Sequence, residues 1–375
     1  MLIMALDHVR HFLHQPSMVD EPTNLATTSP LLFFTRFITH YCAPAFLFLS
    51  GISAFISGQR KTKNELSLFL VKRGCWLILV EWVIVSFSWR LDPLFHMLPL
   101  QVIWAIGWSM IILGLLVRTS VGWVMTAGIV ILIGHNITDY MILPQQGAAG
   151  YLIKLLLTTK GEVMALGQGR VVLAIYAILP WTAIMLVGYG VGQLFRNDFA
   201  DEKRRRILLQ LGIGLTALFI LLRLINQYGD PAPWSSQKNA VFTLLSFLNV
   251  TKYPVSLQYS CLTLGPLLIV LSLITNRQTR FRNFLSVFGK VPFFYYVLHF
   301  YLIHAITAVL VFSAGYSWAD MNDPASFVFF RPAAFGVGLG AVYLVWLAVI
   351  GILYFPCRWF CRYKATHRQW WLSYV

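Results

Sequence analysis

The chain has 375 residues, 58% of them hydrophobic and only 11% charged, with a mean hydropathy of +0.69. A soluble domain carries about 25% charged residues, so this composition excludes a water-soluble globular protein and points to an integral membrane protein. The formal net charge of +15 fits basic loops on a cytoplasmic membrane face, and a nucleic-acid partner is not expected.

The apolar runs are about 20 residues long and near-continuous, the length of helices crossing a bilayer rather than the short alternating segments of a β-barrel. The expected fold is all-α: a polytopic bundle of about ten transmembrane helices, forming a single domain over residues 1–375. The opening segment, 1–14, starts inside an apolar run and reaches only about 21 Å at 1.5 Å per residue. It is expected to be the second half of a first helix that begins upstream. It lacks the basic start and small-residue cleavage site of a signal peptide.

Charged and titratable side chains cost several kcal/mol at mid-bilayer, so they persist where they line a pathway or a reaction site. Segment 1–14 carries Asp7, His8, Arg10, His11 and His14. On a helix Asp7 and His11 are i,i+4 and His8 and His11 are i,i+3, so they share one broad face. A carboxylate beside an imidazole orients it and raises its basicity, as a general base requires. The alternative is a polar helix end meeting water.

The next span, 31–57, places Arg36 and His40 at i,i+4, with Pro44 one turn on freeing a backbone carbonyl. His40 follows a short loop and is expected to face His8 across a helical hairpin; an interhelical hydrogen bond is the other reading. Arg60, Lys61 and Lys63 then form a basic turn, suited to a phosphorylated donor or simply to topology. Glu81, within span 67–88, must find a partner or be protonated; structural pairing and pathway lining both stay open.

Spans 98–117 and 121–138 follow. His135 and Asp139 make an HxxxD spacing, which helix-end polarity explains more simply. Spans 171–195 and 206–226 lead into a loop, YGDPAPW (Tyr228–Trp234), whose prolines impose a rigid turn. Asp230 and Trp234, with Lys252 and Tyr253 of the TKYP run, are candidates to bind a sugar: aromatic faces stack on pyranose rings and fixed polar groups read hydroxyls. Loop anchoring in the interfacial belt is the alternative.

The last spans are 255–275, 286–312 and 332–356. His299 and His304 are five residues apart and project about 140° from each other, so only one faces a given cavity; His299 is favoured. Cys42, Cys75, Cys261, Cys357 and Cys361 form no CxxC pair, and no HExxH or His/Cys cluster occurs, so no metal is expected.

If residues 15–30 lie outside, 19 of the 29 lysines and arginines fall on the cytoplasmic side, and both termini are cytoplasmic. Eight of the nine histidines then lie in the outer half, which suggests a site opening there.

The runs MALDHVRHF, TTSPLLFFTRFITHYCAPAFLFLSG, QVIWAIGWSMI, LPW with VGYGVGQLF, YGDPAPW, TKYP, GKVPFFYYVLHFYLIH and the terminal WWLSYV together resemble the bacterial branch of the heparan-alpha-glucosaminide N-acetyltransferase catalytic-domain family. The resemblance covers nearly the whole chain and rests on the order and spacing of these runs. It implies a multi-helix transmembrane acyltransferase in the bacterial inner membrane. It further implies acetyl-CoA as co-substrate, taken from the cytoplasm, and a sugar or glycan acceptor on the opposite side. Two departures stand out. The Asp-x-x-Arg-Gly motif of the family's first helix is not present here, in keeping with an incomplete first helix. His8 falls at the family's asparagine position, and His40 where the glucosaminide enzymes carry an aspartate.

The expected activity is transfer of an acetyl group from cytoplasmic acetyl-CoA to an amine or hydroxyl of an extracytoplasmic sugar. His8 or His40 would be the base, Asp7 would orient a histidine and Arg36 would stabilise the oxyanion. Lys252, Tyr253, Asp230, Trp234 and His299 would bind the acceptor, and Arg60, Lys61 and Lys63 the donor. An acetyl-histidine intermediate is a less favoured variant. The rival readings are a proton-coupled transporter, since intramembrane His, Glu and Arg also make proton relays, and a non-catalytic membrane protein of envelope assembly. The sequence leaves the acceptor's identity and self-association into a homo-oligomer open.

Overall fold

A computed structural model of the chain describes residues 1–15, 21–274, 278–323, 326 and 331–373. Arg277, one of the basic residues counted on the cytoplasmic side, and the last two residues of WWLSYV lie outside them. The described residues are predominantly helical. In chain order the helices are α1 (Leu2–Leu13), α2 (Pro30–Thr39), α3 (Cys42–Gly58), α4 (Lys63–Val80), α5 (Ser86–Arg90), α6 (Val102–Leu116), α7 (Val121–Gly134) and α8 (Gly147–Ile153). They continue as α9 (Ile178–Val191), α10 (Asp201–Ile225), α11 (Ala240–Leu248), α12 (Leu257–Leu273), α13 (Arg280–Lys290), α14 (Pro292–Ser313) and α15 (Leu339–Thr366). Three strands, β1 (Met97–Leu100), β2 (Glu162–Gly167) and β3 (Arg170–Ala174), complete the set.

Several helix starts follow from sequence. Ser29 accepts a hydrogen bond from Leu32 N ahead of Pro30, which fills the first helical position where its missing N–H costs nothing. Thr62 and Glu65 form a reciprocal capping box that opens α4. Among the described residues, six helical stretches are long and apolar enough to cross a membrane: Pro30–Gly58, Val121–Tyr140, Ile178–Phe195, Asp201–Ile225, Pro292–Ser313 and Leu339–Thr366. Most of them leave much apolar surface outside the protein: Leu31, Trp123, Val130 and Leu344 are all more than 60% exposed. A water-soluble surface does not carry contiguous apolar faces on this scale, whereas lipid solvates them. The chain is a polytopic helical membrane protein.

The expectation of an all-helical chain is corrected by the sheet. β1 and β3 are parallel, with Met97 opposite Val171, and β2 pairs antiparallel with β3. The first residues of spans 98–117 and 171–195, up to Leu100 and Ala174, are therefore strand. Short apolar runs such as MLPL and RVVLA have no period that separates strand from buried helix. Span 67–88 is likewise interrupted, by a π-type turn at Glu81–Val85 between α4 and α5.

The chain folds as two compact units. One comprises Met1–Cys42, Trp82–His96 and Asn276–Val375; the other comprises Ala43–Glu81 and Met97–Thr275. In the first, α1 packs against α2, α14 and α15. Trp346 Nε1 donates to Leu2 O at 2.8 Å, and Val337 N donates to Leu13 O at 2.8 Å, so both ends of α1 are tied down. In the second, α4 packs on α6, α7 on α9, α6 on α9 and α10 on α12. There the sheet joins a core of Ile78, Leu100, Trp104, Met164, Ala174 and Ile178.

Candidate active site

The first unit gathers the polar residues of α1, α2 and α14. One face of α1 carries Asp7, Arg10 and His11. Asp7 Oδ2 accepts from Arg36 Nη1 at 2.6 Å, and Asp7 Oδ1 accepts from Arg10 Nη2 at 3.1 Å. Arg10 Nη2 also lies 2.9 Å from His11 Nε2. A guanidinium only donates, so His11 Nε2 holds the lone pair and His11 carries its proton on Nδ1, 3.9 Å from Asp7 Oδ1. Arg10 is fully buried, and Asp7 and Arg36 are nearly so. The cluster sets two guanidinium charges against one carboxylate. Among the described residues Arg10 Nε and Nη1 have no hydrogen-bond partner. Such a group is poised to accept further negative charge in a region of low dielectric.

His8 leaves α1 toward α14. Its Nδ1 lies 2.6 Å from His299 Nε2, and the two rings stack with centroids 4.9 Å apart. His299 is fully buried, and its Nδ1 lies 3.1 Å from Tyr295 O one turn back. Phe300 covers the His8 ring at 4.4 Å, and Phe12, Trp89 and His304 extend the aromatic wall. His304 turns to α5, where its Nδ1 lies 3.1 Å from Ser88 O. The two histidines of α14 thus face different neighbours, as their spacing requires. His40 is buried one turn past Arg36, with its ring 6.2 Å from Phe37.

The remaining candidates lie in the second unit. Asp230 accepts from Ala232 N, Thr251 N, Thr251 Oγ1 and Ser256 Oγ, at 2.6–3.0 Å. Trp234 Nε1 donates to Arg223 O at 2.7 Å, and Arg223 donates to the carbonyls of Ala232, Ser246, Phe247 and Asn249. These bonds anchor the loop. Lys252 lies over the Tyr253 ring at 5.0 Å, and that ring meets Tyr176 edge-on. Of the five residues expected to bind the acceptor, His299 belongs to the first unit, beside His8, and the other four to the second. Glu81 finds its partner at the start of α6, where its carboxyl accepts from Gln101 N at 3.3 Å. His135 bonds backbone carbonyls of its own helix, while Asp139 holds Asn136, so HxxxD is a helix end.

A cavity of about 330 Å³ opens between the ends of α3, α4, α6 and α9, lined in part by Gln59, Lys61, Lys63, Thr119, Ser120 and Tyr189. Lys63 Nζ donates to Arg118 O and Thr119 O, and Lys61 Nζ to Ser57 O. Arg60 is exposed on the adjoining turn and does not line it. Among the described residues no group of three or more His, Cys, Asp or Glu stands close enough to hold a metal ion.

The His8–His299 pair and the place of Arg10 between Asp7 and His11 escaped the sequence reading. The pair joins residues 291 apart in the chain, which no local spacing can signal. No curated protein and no solved structure matches the chain. The model of one family, described as heparan-alpha-glucosaminide N-acetyltransferase, catalytic, matches residues 1–224. That stretch holds Asp7, His8, Arg36, His40 and the lysines of the cavity, and stops before His299. It spans more than half of the chain, which therefore belongs to the heparan-alpha-glucosaminide N-acetyltransferase catalytic family, a family of membrane acetyltransferases.

Proposed function

We propose that the chain moves an acetyl group from cytoplasmic acetyl-CoA to an amine or hydroxyl of a sugar or glycan on the outer side of a bacterial inner membrane. Residues 1–375 act in it as one transmembrane acyltransferase domain of about ten crossings, with both termini cytoplasmic. The observation that carries this reading is the buried Asp7–Arg10–Arg36 cluster, with His11 half-buried beside it, in the unit that also pairs His8 with His299.

The acceptor's nitrogen or oxygen attacks the thioester carbonyl, and the carbon–sulfur bond breaks. The proton lost by the acceptor passes to a histidine, His8 or His40, and from it to the departing thiolate, giving free CoA thiol. The surplus guanidinium charge at Arg10 and Arg36 stabilises the oxyanion of the tetrahedral intermediate. Asp7 holds both arginines and fixes their direction. Lys61 and Lys63, with Arg60 beside them, attract the donor's phosphates to the cavity. Tyr253 and Lys252, supported by Asp230 and Trp234, form the acceptor-binding face.

The test is radiolabel transfer from acetyl-CoA, supplied to the cytoplasmic face of inside-out vesicles, to glucosamine inside. Label should appear inside, and His8→Ala or His40→Ala should abolish most of it, a loss of about 100-fold or more. Normal transfer by both variants, folded as wild type, sinks this mechanism. Solute flux without consumption of acetyl-CoA would instead indicate a transporter.

A further inference from the structure

His299 lies in the carboxy-terminal third of the chain, outside the family match, and its bonding pattern is specific. A carbonyl oxygen only accepts, so the contact between His299 Nδ1 and Tyr295 O at 3.1 Å requires the proton on Nδ1. A neutral His299 then presents a lone pair at Nε2. The atom facing it at 2.6 Å, His8 Nδ1, must donate. His8 therefore carries its own proton on Nδ1 and its lone pair on Nε2. The sequence Tyr295 carbonyl, His299, His8 fixes one tautomer out of two at the far end.

Packing holds the arrangement. The His299 ring stacks on Tyr295 with 2° between planes and on His8 with 18°, and Phe300 and Tyr296 close around them. Turning either imidazole over breaks one of these two hydrogen bonds, and the His299 ring is fully buried.

We infer that His299 is a positioning residue for acetyl transfer: with the Tyr295 carbonyl behind it, it holds His8 as the tautomer whose Nε2 accepts the acceptor's proton. This rests on the proposed acetyl transfer and selects His8 over His40 as the base. When His8 Nε2 takes the proton, the imidazolium keeps its Nδ1–H···Nε2 bond to His299, which shares the positive charge. The same proton then leaves from Nε2 to the CoA thiolate, and both histidines return to their starting forms. The pair performs the part that a carboxylate behind a histidine performs elsewhere, and it does so without placing another buried negative charge beside the thioester.

The experiment compares wild type with His299→Gln and His299→Leu in the full-length protein in nanodiscs. Acetyl-CoA and glucosamine are the substrates, and nitrogen-15 NMR of labelled histidine is assigned through His8→Asn. Glutamine can place an amide oxygen where Nε2 stood and keep an acceptor for His8; leucine cannot. Expected are a loss of about 100-fold in kcat for the leucine variant with KM for acetyl-CoA unchanged, and recovery of most of that loss by glutamine. The His8 resonances should show Nδ1–H in wild type and a mixture of tautomers in the leucine variant. Full kcat in a folded leucine variant, or a wild-type His8 protonated on Nε2, overturns the inference. If leucine prevents folding, the wild-type tautomer and the glutamine variant's kcat decide. Should wild type transfer no acetyl group to any acceptor, the transfer reading fails, and the NMR signature still reports whether the histidines are paired as described.

Discussion

Asp7 shows how much of the site a single residue organises. The sequence places it one turn from His11, which suggests a carboxylate orienting an imidazole. In the structure its oxygens go to Arg10 and Arg36 instead, and His11 stands at 3.9 Å. Spacing along a helix says which residues share a face but not which partner arrives from another helix, and Arg36 comes from α2. The energetic consequence can be checked. Asp7→Asn takes the hydrogen-bonded counter-charge away from two buried guanidinium groups, the costly way to break a buried pair, and should destabilise by about 3–5 kcal/mol. Arg36→Met leaves Arg10 and Asp7 as a neutral pair and should cost clearly less. Thermal unfolding midpoints in the same detergent measure both. A midpoint for Arg36→Met as low as that for Asp7→Asn would mean that charge balance is not what holds the cluster.

At the scale of elements, long apolar runs made the helices legible, and Ser29–Pro30 and the Thr62–Glu65 box made two of their starts legible. β1 and β3 were hidden because each continues into an apolar helix after a gap of only a few residues. Glu81 was seen as needing a partner, but the partner is a helix start 20 residues on, where unsatisfied N–H groups and the positive end of the helix receive a carboxyl. Glycines govern how closely the helices approach. A Cβ on Gly188 of α9 would run into the backbone of Phe48 on α3, and one on Gly51 of α3 into the carbonyl of Met185. Neither obstacle is a flexible side chain. Gly188→Ala must therefore push the two helices apart, and a cost of about 1–3 kcal/mol is expected. Gly351→Ala, in α15 with nothing within 4 Å of the added carbon, should be neutral or stabilising by up to about 1 kcal/mol through helix propensity. Unfolding midpoints of the two variants should move in opposite directions or differ sharply; equal small shifts would remove close contact as the reason for glycine at 188.

For the whole molecule, charge distribution carries the functional argument furthest. A net +15 on a chain with so few charged residues leaves the basic turns as strong local fields. The cavity edged by Lys61 and Lys63 lies among them, with the capping box and the end of α6 around it. Both lysines are exposed and each donates to backbone carbonyl oxygens at the cavity's edge. A donor bearing several phosphate charges should feel each of them. One unit charge at about 4 Å contributes about 1 kcal/mol in water-like surroundings, a factor of about five in affinity. Lys61→Gln and Lys63→Gln should each raise KM for acetyl-CoA by about that factor, leave kcat unchanged because they attract the donor's phosphates and not the acetyl group, and multiply when combined. The effect should shrink as salt rises, since exposed charges are screened over about 8–10 Å near physiological ionic strength. A hydroxyl-for-ring change at Tyr189, such as Tyr189→Ser, alters the cavity's shape without altering its charge, so its effect should not depend on salt. If the lysine variants keep wild-type KM at low salt, the donor is captured by another basic turn, and the cavity is then only a gap between helix ends.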